Sequence, residues 1–198
     1  MDWQQTVLFL AASAALLGSP GPAIAALLAV GRATGWQGGM RFYLGLQVGL
    51  ASAALLTALG LFSLVSSYPP ALRVMSIVAT AYLFFLAWKI GSAPIGQPEG
   101  GSSVPASAAS GFVVGVTNPK AYLAFASLFG SFALHSQNTA DTGLKLLGVV
   151  GVMVIVDFVW LALGVTIGRL TLRPSSERAF NLVMGGMVAG AAGLALAS

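Results

Sequence analysis

Long apolar runs alternate with short polar breaks along the whole chain. Six runs are long enough to cross a bilayer: about Thr6–Val30, Phe42–Val65, Ala71–Ile90, Gly111–Leu134, Leu144–Gly168 and Ala179–Ala197. Each supplies roughly the 20 residues that a spanning helix needs. Backbone groups in hydrocarbon must be satisfied within their own segment, and strand-like alternation is absent, so the runs are predicted to be helices. The expected fold class is an all-α integral membrane protein with six transmembrane helices.

The polar breaks organise these runs. Ser66 to Pro70 reads as a tight hairpin, and Arg169 to Arg178, with Pro174, as a short connection. Gly91 to Ser110 is longer and carries Pro94, Pro98 and Pro105 among many Gly and Ser, which is linker composition. It separates a first repeat, 1–90, from a second, 111–198, within a single transmembrane domain covering 1–198. Three spans per half make the second half inverted relative to the first.

Composition agrees with a bilayer. Only 7% of the residues are charged against 57% apolar, too few charges to cover a soluble domain of this size. The mean hydropathy is +0.90. The net charge of +4 comes from scattered Lys and Arg without a basic run, which argues against nucleic-acid binding. The absence of cysteine excludes disulfides and thiolate chemistry. The N-terminus lacks the positive region of a signal peptide and is expected to remain as the first span. Arg32, Arg41, Lys89, Arg169, Arg173 and Arg178 fall on one side of the spans, whereas Arg73 and Lys145 fall on the other. The positive-inside rule then puts the larger group in the cytoplasm and both termini outside.

Glycine recurs at four-residue spacing at Gly35/Gly39, Gly45/Gly49, Gly111/Gly115, Gly164/Gly168 and Gly186/Gly190. Small residues at this spacing let helix backbones approach closely. The pattern is read as tight packing within the bundle, and the same faces also suit a homodimer.

The candidate chemistry lies in three places. Two spans are interrupted by proline, at Gly18-Ser19-Pro20-Gly21-Pro22 and at Gly115-Val116-Thr117-Asn118-Pro119-Lys120. Proline removes an N–H and clashes one turn back, so backbone groups are freed at membrane depth. Such backbone is tolerated where it lines a cavity or is buried in protein. Gly-x-x-x-Pro occurs at corresponding places in both halves, each about 12 Å from its cytoplasmic end. Paired broken helices in inverted repeats point to a transport site near the midplane.

The third place is Asp157, in the middle of the fifth run. Lys145 and Arg169 each lie about 18 Å away along its helix, so neither can pair with it. A carboxylate at this depth costs several kcal/mol unless it faces a protein interior or a wet cavity. It is a candidate for binding an ammonium group or carrying a proton. Lys120 is the basic residue at comparable depth and could neutralise it when the site is empty. A permanent Asp157–Lys120 packing pair, or Lys120 reaching to the cytoplasmic surface, are the plainer readings. The freed N–H groups after Pro22 and near Asn118 suit an anionic group such as a carboxylate. Gln47, between Gly45 and Gly49, and Trp160, one turn from Asp157, are weaker candidates.

Taken together these residues resemble the LysE/RhtB amino-acid exporters. The resemblance rests on Ser19-Pro20-Gly21-Pro22, Asn118-Pro119-Lys120-Ala121 and Asp157, with Gly45-Leu46-Gln47 and Ala81-Tyr82-Leu83. It runs almost end to end, and Pro20, Gly21, Pro22, Asn118, Pro119, Lys120 and Asp157 match the family's motif positions. It implies a bacterial inner-membrane exporter of amino acids or similar metabolites, driven by proton exchange, with no cofactor or metal. Where the family often shows Pro-Gln-Phe, this chain has Gly130-Ser131-Phe132. That departure implies a looser outer end of the fourth span. A single intramembrane acid favours a neutral or zwitterionic amino acid over a dication.

Other classes fit less well. An intramembrane enzyme would need a second acid or a His cluster, and His135 is the only histidine. A non-transporting scaffold leaves the cost of Asp157 unexplained. A channel would show a ring of charges or carbonyls, and none is evident.

Overall fold

A computed structural model describes residues 2–19, 21–60, 77, 81, 84–85, 87–88, 91–92 and 106–169, and a scatter of positions between 175 and 190. Among them the bounded elements are all helices: α1 (Trp3–Gly18), α2 (Pro22–Ala58), α3 (Ala108–Val116), α4 (Pro119–Ser131) and α5 (Asn138–Gly168). By length and hydropathy α2 and α5 can each cross a membrane, and α3 with α4 can do so as one span bent by 53°.

The helix ends follow local chemistry. The Asp2 side chain accepts from the Gln5 amide at 3.0 Å, so α1 starts at Trp3, ahead of the expected Thr6. It stops at Gly18 because Pro20 and Pro22 offer no N–H to continue the ladder. Pro22 and Pro119 then open α2 and α4 at their first helical positions, where a missing N–H costs nothing.

The polar connection expected between the first two spans is a single residue. Residues 31–41 stay helical except at Gly35, whose φ of 61° and ψ of −157° reverse the chain. That region of backbone space belongs almost wholly to glycine. A β-carbon on Gly39 would lie 3.4 Å from the Gly31 Cα, so arms 22–34 and 36–58 fold back on one another. The polar Arg32, Thr34 and Gln37 lie within the helical arms, and the Thr34 hydroxyl donates to the Val30 carbonyl at 2.8 Å. Gly35 thus builds a turn rather than part of a packing stripe, while Gly39 does pack closely, against Leu161 and Gly31.

The pairs Gly45/Gly49, Gly111/Gly115 and Gly164/Gly168 do pack backbones together, whereas a β-carbon on Gly186 or Gly190 would meet nothing within 4 Å. A β-carbon on Gly45 would overlap the Ala108 carbonyl, one on Gly49 the Phe112 carbonyl, and one on Gly111 the Phe42 carbonyl. Arm 36–58 therefore runs alongside α3 in the same direction. On the other side, Gly148 abuts Phe9, Gly18 abuts Val156, and Gly164 and Gly168 abut the Leu28 and Arg32 backbones. So α1 and arm 22–34 run alongside α5, again in parallel. Phe9, Leu27, Phe42, Leu46, Phe125 and Leu161 are fully buried between these elements. Leu147, Ile155 and Val159 of α5 are exposed, an apolar face fit for lipid.

Lys145, on the side opposite the larger basic group, is not a free surface charge. It is buried and pairs with Asp141 at 2.6 Å while donating to the Phe129 carbonyl at 2.9 Å. Asp141 in turn accepts from the Leu134 and His135 amides at 2.5 and 2.9 Å. This pairing lets α5 begin at Asn138, before the expected Leu144.

Candidate functional site

Asp157 lies on the inner face of α5 and is 4% exposed. Its Oδ2 accepts from the Gln47 Nε2 at 2.8 Å, across from arm 36–58. The Gln47 Oε1 is buried and has no hydrogen-bond partner. Tyr43, one turn before Gln47, donates its hydroxyl to the Val154 carbonyl at 2.9 Å. The two contacts fix α5 against the arm just where the acid sits.

Asp157 lines a cavity bounded on one side by Ser19, Gly21 and Ile24 and on another by Asn118 and Lys120. Both helix interruptions therefore meet at the acid. The interior offers about 30 Å³ to water, room for roughly two molecules when each needs about 10–15 Å³. Leu16, Leu17, Leu50 and Met153 complete apolar walls.

The break after α1 frees carbonyls, and side chains from two other elements take them up. The Gly18 carbonyl accepts from the Trp160 Nε1 at 3.3 Å, and the Ser19 carbonyl accepts from the Lys120 ammonium. Gly21 leaves the space for this: a β-carbon there would sit 2.9 Å from the Lys120 Cδ and 3.2 Å from its Nζ. The first intrahelical bond of α2 runs from the Ala25 amide to the Gly21 carbonyl at 2.9 Å. The amides of Ala23 and Ile24, both cavity-lining residues, precede that bond and have no partner within the ladder. Asn118 caps α4 without a side-chain bond, and its buried Oδ1 has no partner.

Of the residues singled out in the sequence, Asp157, Lys120, Asn118, Gly21 and Gln47 come together here. Pro22 and Pro119 start the helices that flank the cavity, and Pro20 lies outside the described residues. The Asp157–Lys120 pair, one of the arrangements the sequence left open, does not form: Gln47 bonds the acid and Ser19 the ammonium. Lys120 neither bridges to the acid nor reaches for the surface; its ammonium donates to the Ser19 carbonyl, which the broken ladder leaves free. Trp160 contributes a tether to Gly18. Sequence reasoning missed the Ser19 carbonyl and Tyr43. Tyr43 is four residues from Gln47 and so shares its face, a spacing that points to it. Among the described residues no group of three or more His, Cys, Asp or Glu could hold a metal ion.

Long apolar helices, two of them interrupted at a common cavity with a buried acid, define a helical membrane protein of the transport class. The family model of the LysE type translocators matches residues 14–198, and the chain belongs to that family. It is thus a membrane transport protein. Searches of curated proteins and of solved structures gave no match.

Proposed function

We propose that the protein exports amino acids or closely related small metabolites across the bacterial inner membrane in exchange for protons. The observation that carries this reading is the burial of Asp157 in the cavity where both helix interruptions meet. A carboxylate there can hold a proton or an ammonium group, but hydrocarbon around it would leave it too costly to keep.

The cavity has two chemical ends. Asp157 with Gln47 offers acceptors to the ammonium group of a zwitterion. Lys120, with one of its three N–H donors given to Ser19, and the free amides of Ala23 and Ile24 offer donors to the carboxylate. About 30 Å³ is too little for an amino acid, so loading requires the walls to part. Binding a proton at Asp157 releases the ammonium group, and losing it restores the acceptor, which couples the two fluxes.

In this reading the chain crosses six times with both termini outside the cytoplasm. The first span is α1 with arm 22–34, the second arm 36–58, the fourth α3 with α4, and the fifth α5. The first runs parallel to the fifth and the second parallel to the fourth. Exchange of the two halves converts one pairing into the other, which supports an inverted repeat.

The test is efflux of labelled amino acids from cells or everted vesicles carrying the wild type or Asp157→Asn. The variant should reach the membrane at normal level yet lose proton-coupled efflux by at least about tenfold, and collapse of the pH gradient should slow the wild type alone. Equal efflux from the two proteins removes Asp157 from the mechanism.

A further inference from the structure

We infer that α1 is the outer gate of the passage, a half-helix that pivots at the break before Pro22 and shuts the cavity by seating its Phe9–Ser13 face on the bundle. The inference rests on the reading of the protein as a transporter with its N-terminus outside, and it names the element that opens on that side.

The two ends of α1 are held differently. At the inner end the Gly18 carbonyl accepts from the Trp160 Nε1 at 3.3 Å, and the Ser19 carbonyl accepts from the Lys120 ammonium. The helical ladder stops there, with Ser19 and Gly21 both extended. A tethered joint between two rigid helices is where a hinge can lie. At the outer end the Asp2 amide donates to the Leu134 carbonyl at 3.0 Å, and the Phe9 ring meets Phe132 edge-on, 5.6 Å between centroids. Between these ends α1 buries one stripe, Thr6, Phe9 and Ser13. Glycine locks arm 22–34 and arm 36–58 to their neighbours backbone to backbone, whereas Gly18 and Gly148 meet only side chains across the α1–α5 seam.

The surface on which α1 closes is fixed more firmly. Lys145 donates to the Phe129 carbonyl at the end of α4 and pairs with Asp141, which holds the Leu134 and His135 amides. The end of α4 and the turn after it are thereby tied to α5, so α1 is the part left to move.

Ser13 shows what the seam excludes and admits. It is fully buried, and its hydroxyl has no hydrogen-bond partner. The Thr6 hydroxyl in the same stripe returns to the Asp2 carbonyl at 2.7 Å. Buried polar atoms without partners are rare and costly. Ser13 stands one turn outward of Leu16 and Leu17, which line the cavity. A seam that parts during transport lets this hydroxyl meet water or the departing substrate, which a permanently closed core would deny it.

The experiment uses the full chain, which has no cysteine of its own. The Asp2–Leu134 bond brings the two backbones within reach of a disulfide, so Asp2→Cys combined with Leu134→Cys staples α1 shut on oxidation. Efflux of labelled amino acids from cells is followed before oxidation, after it and after reduction, beside each single variant. Efflux should fall at least about tenfold on oxidation of the double variant alone and recover on reduction, as when a lid is locked. In a second arm, Ser13→Cys and Ala14→Cys are treated in intact cells with a small water-soluble thiol reagent. Position 13, buried when the gate is shut, should be labelled, while position 14, on the exposed face at the same depth, should not. Unchanged efflux with the disulfide formed overturns the inference while the transport reading stands. Absence of labelling at position 13, or equal labelling at 14, also overturns it. If the double variant fails to reach the membrane or to form the disulfide, the labelling arm alone decides. If the wild type moves no amino acid, the transport reading fails and the gate with it.

Discussion

At the scale of single residues, the site is a set of unmet hydrogen-bonding needs brought to one place. Asp157 was legible in the sequence because a charge in hydrocarbon is expensive and therefore conspicuous. Its main partner was less so. Lys120 seemed the natural counter-charge, yet the ammonium goes to the Ser19 carbonyl and Gln47 takes the acid. Backbone carbonyls have no letter of their own, so a freed one is visible only through the prolines that free it. Gly21 carries a consequence that can be tested. Gly21→Ala would place a methyl group 2.9 Å from the Lys120 Cδ and lift the ammonium off Ser19. Export should fall several-fold while the protein still melts within a few degrees of wild type, because one lost hydrogen bond costs about 1 kcal/mol. Unchanged export rates would show that the Lys120–Ser19 contact has no part in function.

At the scale of helices, glycine decides which backbones touch. Gly45, Gly49, Gly111 and Gly115 let arm 36–58 and α3 meet carbonyl to Cα, and Gly164 and Gly168 do the same for arm 22–34 and α5. The spacing of these pairs revealed close packing, but not which helices would pair, since a four-residue stripe is the same on every helix. The turn at Gly35 was hidden for a related reason: the sequence shows a glycine, and only the fold shows a φ of 61°. Gly111→Ala would drive a β-carbon into the Phe42 carbonyl and to 2.8 Å from the Leu46 nitrogen. Gly151→Ala and Gly130→Ala meet nothing within 4 Å. Melting of the purified protein in detergent should therefore drop by several degrees in Gly111→Ala, consistent with roughly 1–3 kcal/mol for overpacking. The two controls should stay close to wild type or rise slightly, because alanine is the better helix former. Equal loss in all three would mean that the α3 crossing is not where this stability resides.

At the scale of the whole molecule, the account rests on a contrast between two faces of α5. Asp157 turns inward to the cavity, and Ile155, two residues earlier, is 67% exposed on the apolar outer face. The helical class and the proline interruptions followed from apolar run length and from two proline motifs, which are properties a sequence states openly. Convergence of both interruptions on Asp157 is a matter of tertiary packing, and no spacing in the chain encodes it. The chain has no cysteine, so one introduced thiol reports on one position without background. Asp157→Cys and Ile155→Cys would be treated in native membranes with a small water-soluble thiol reagent. The account predicts that position 157 is labelled and that position 155 stays inert because a thiol in lipid does not ionise. Labelling at 155 with none at 157 would place the acid against hydrocarbon and contradict a solvated passage at Asp157.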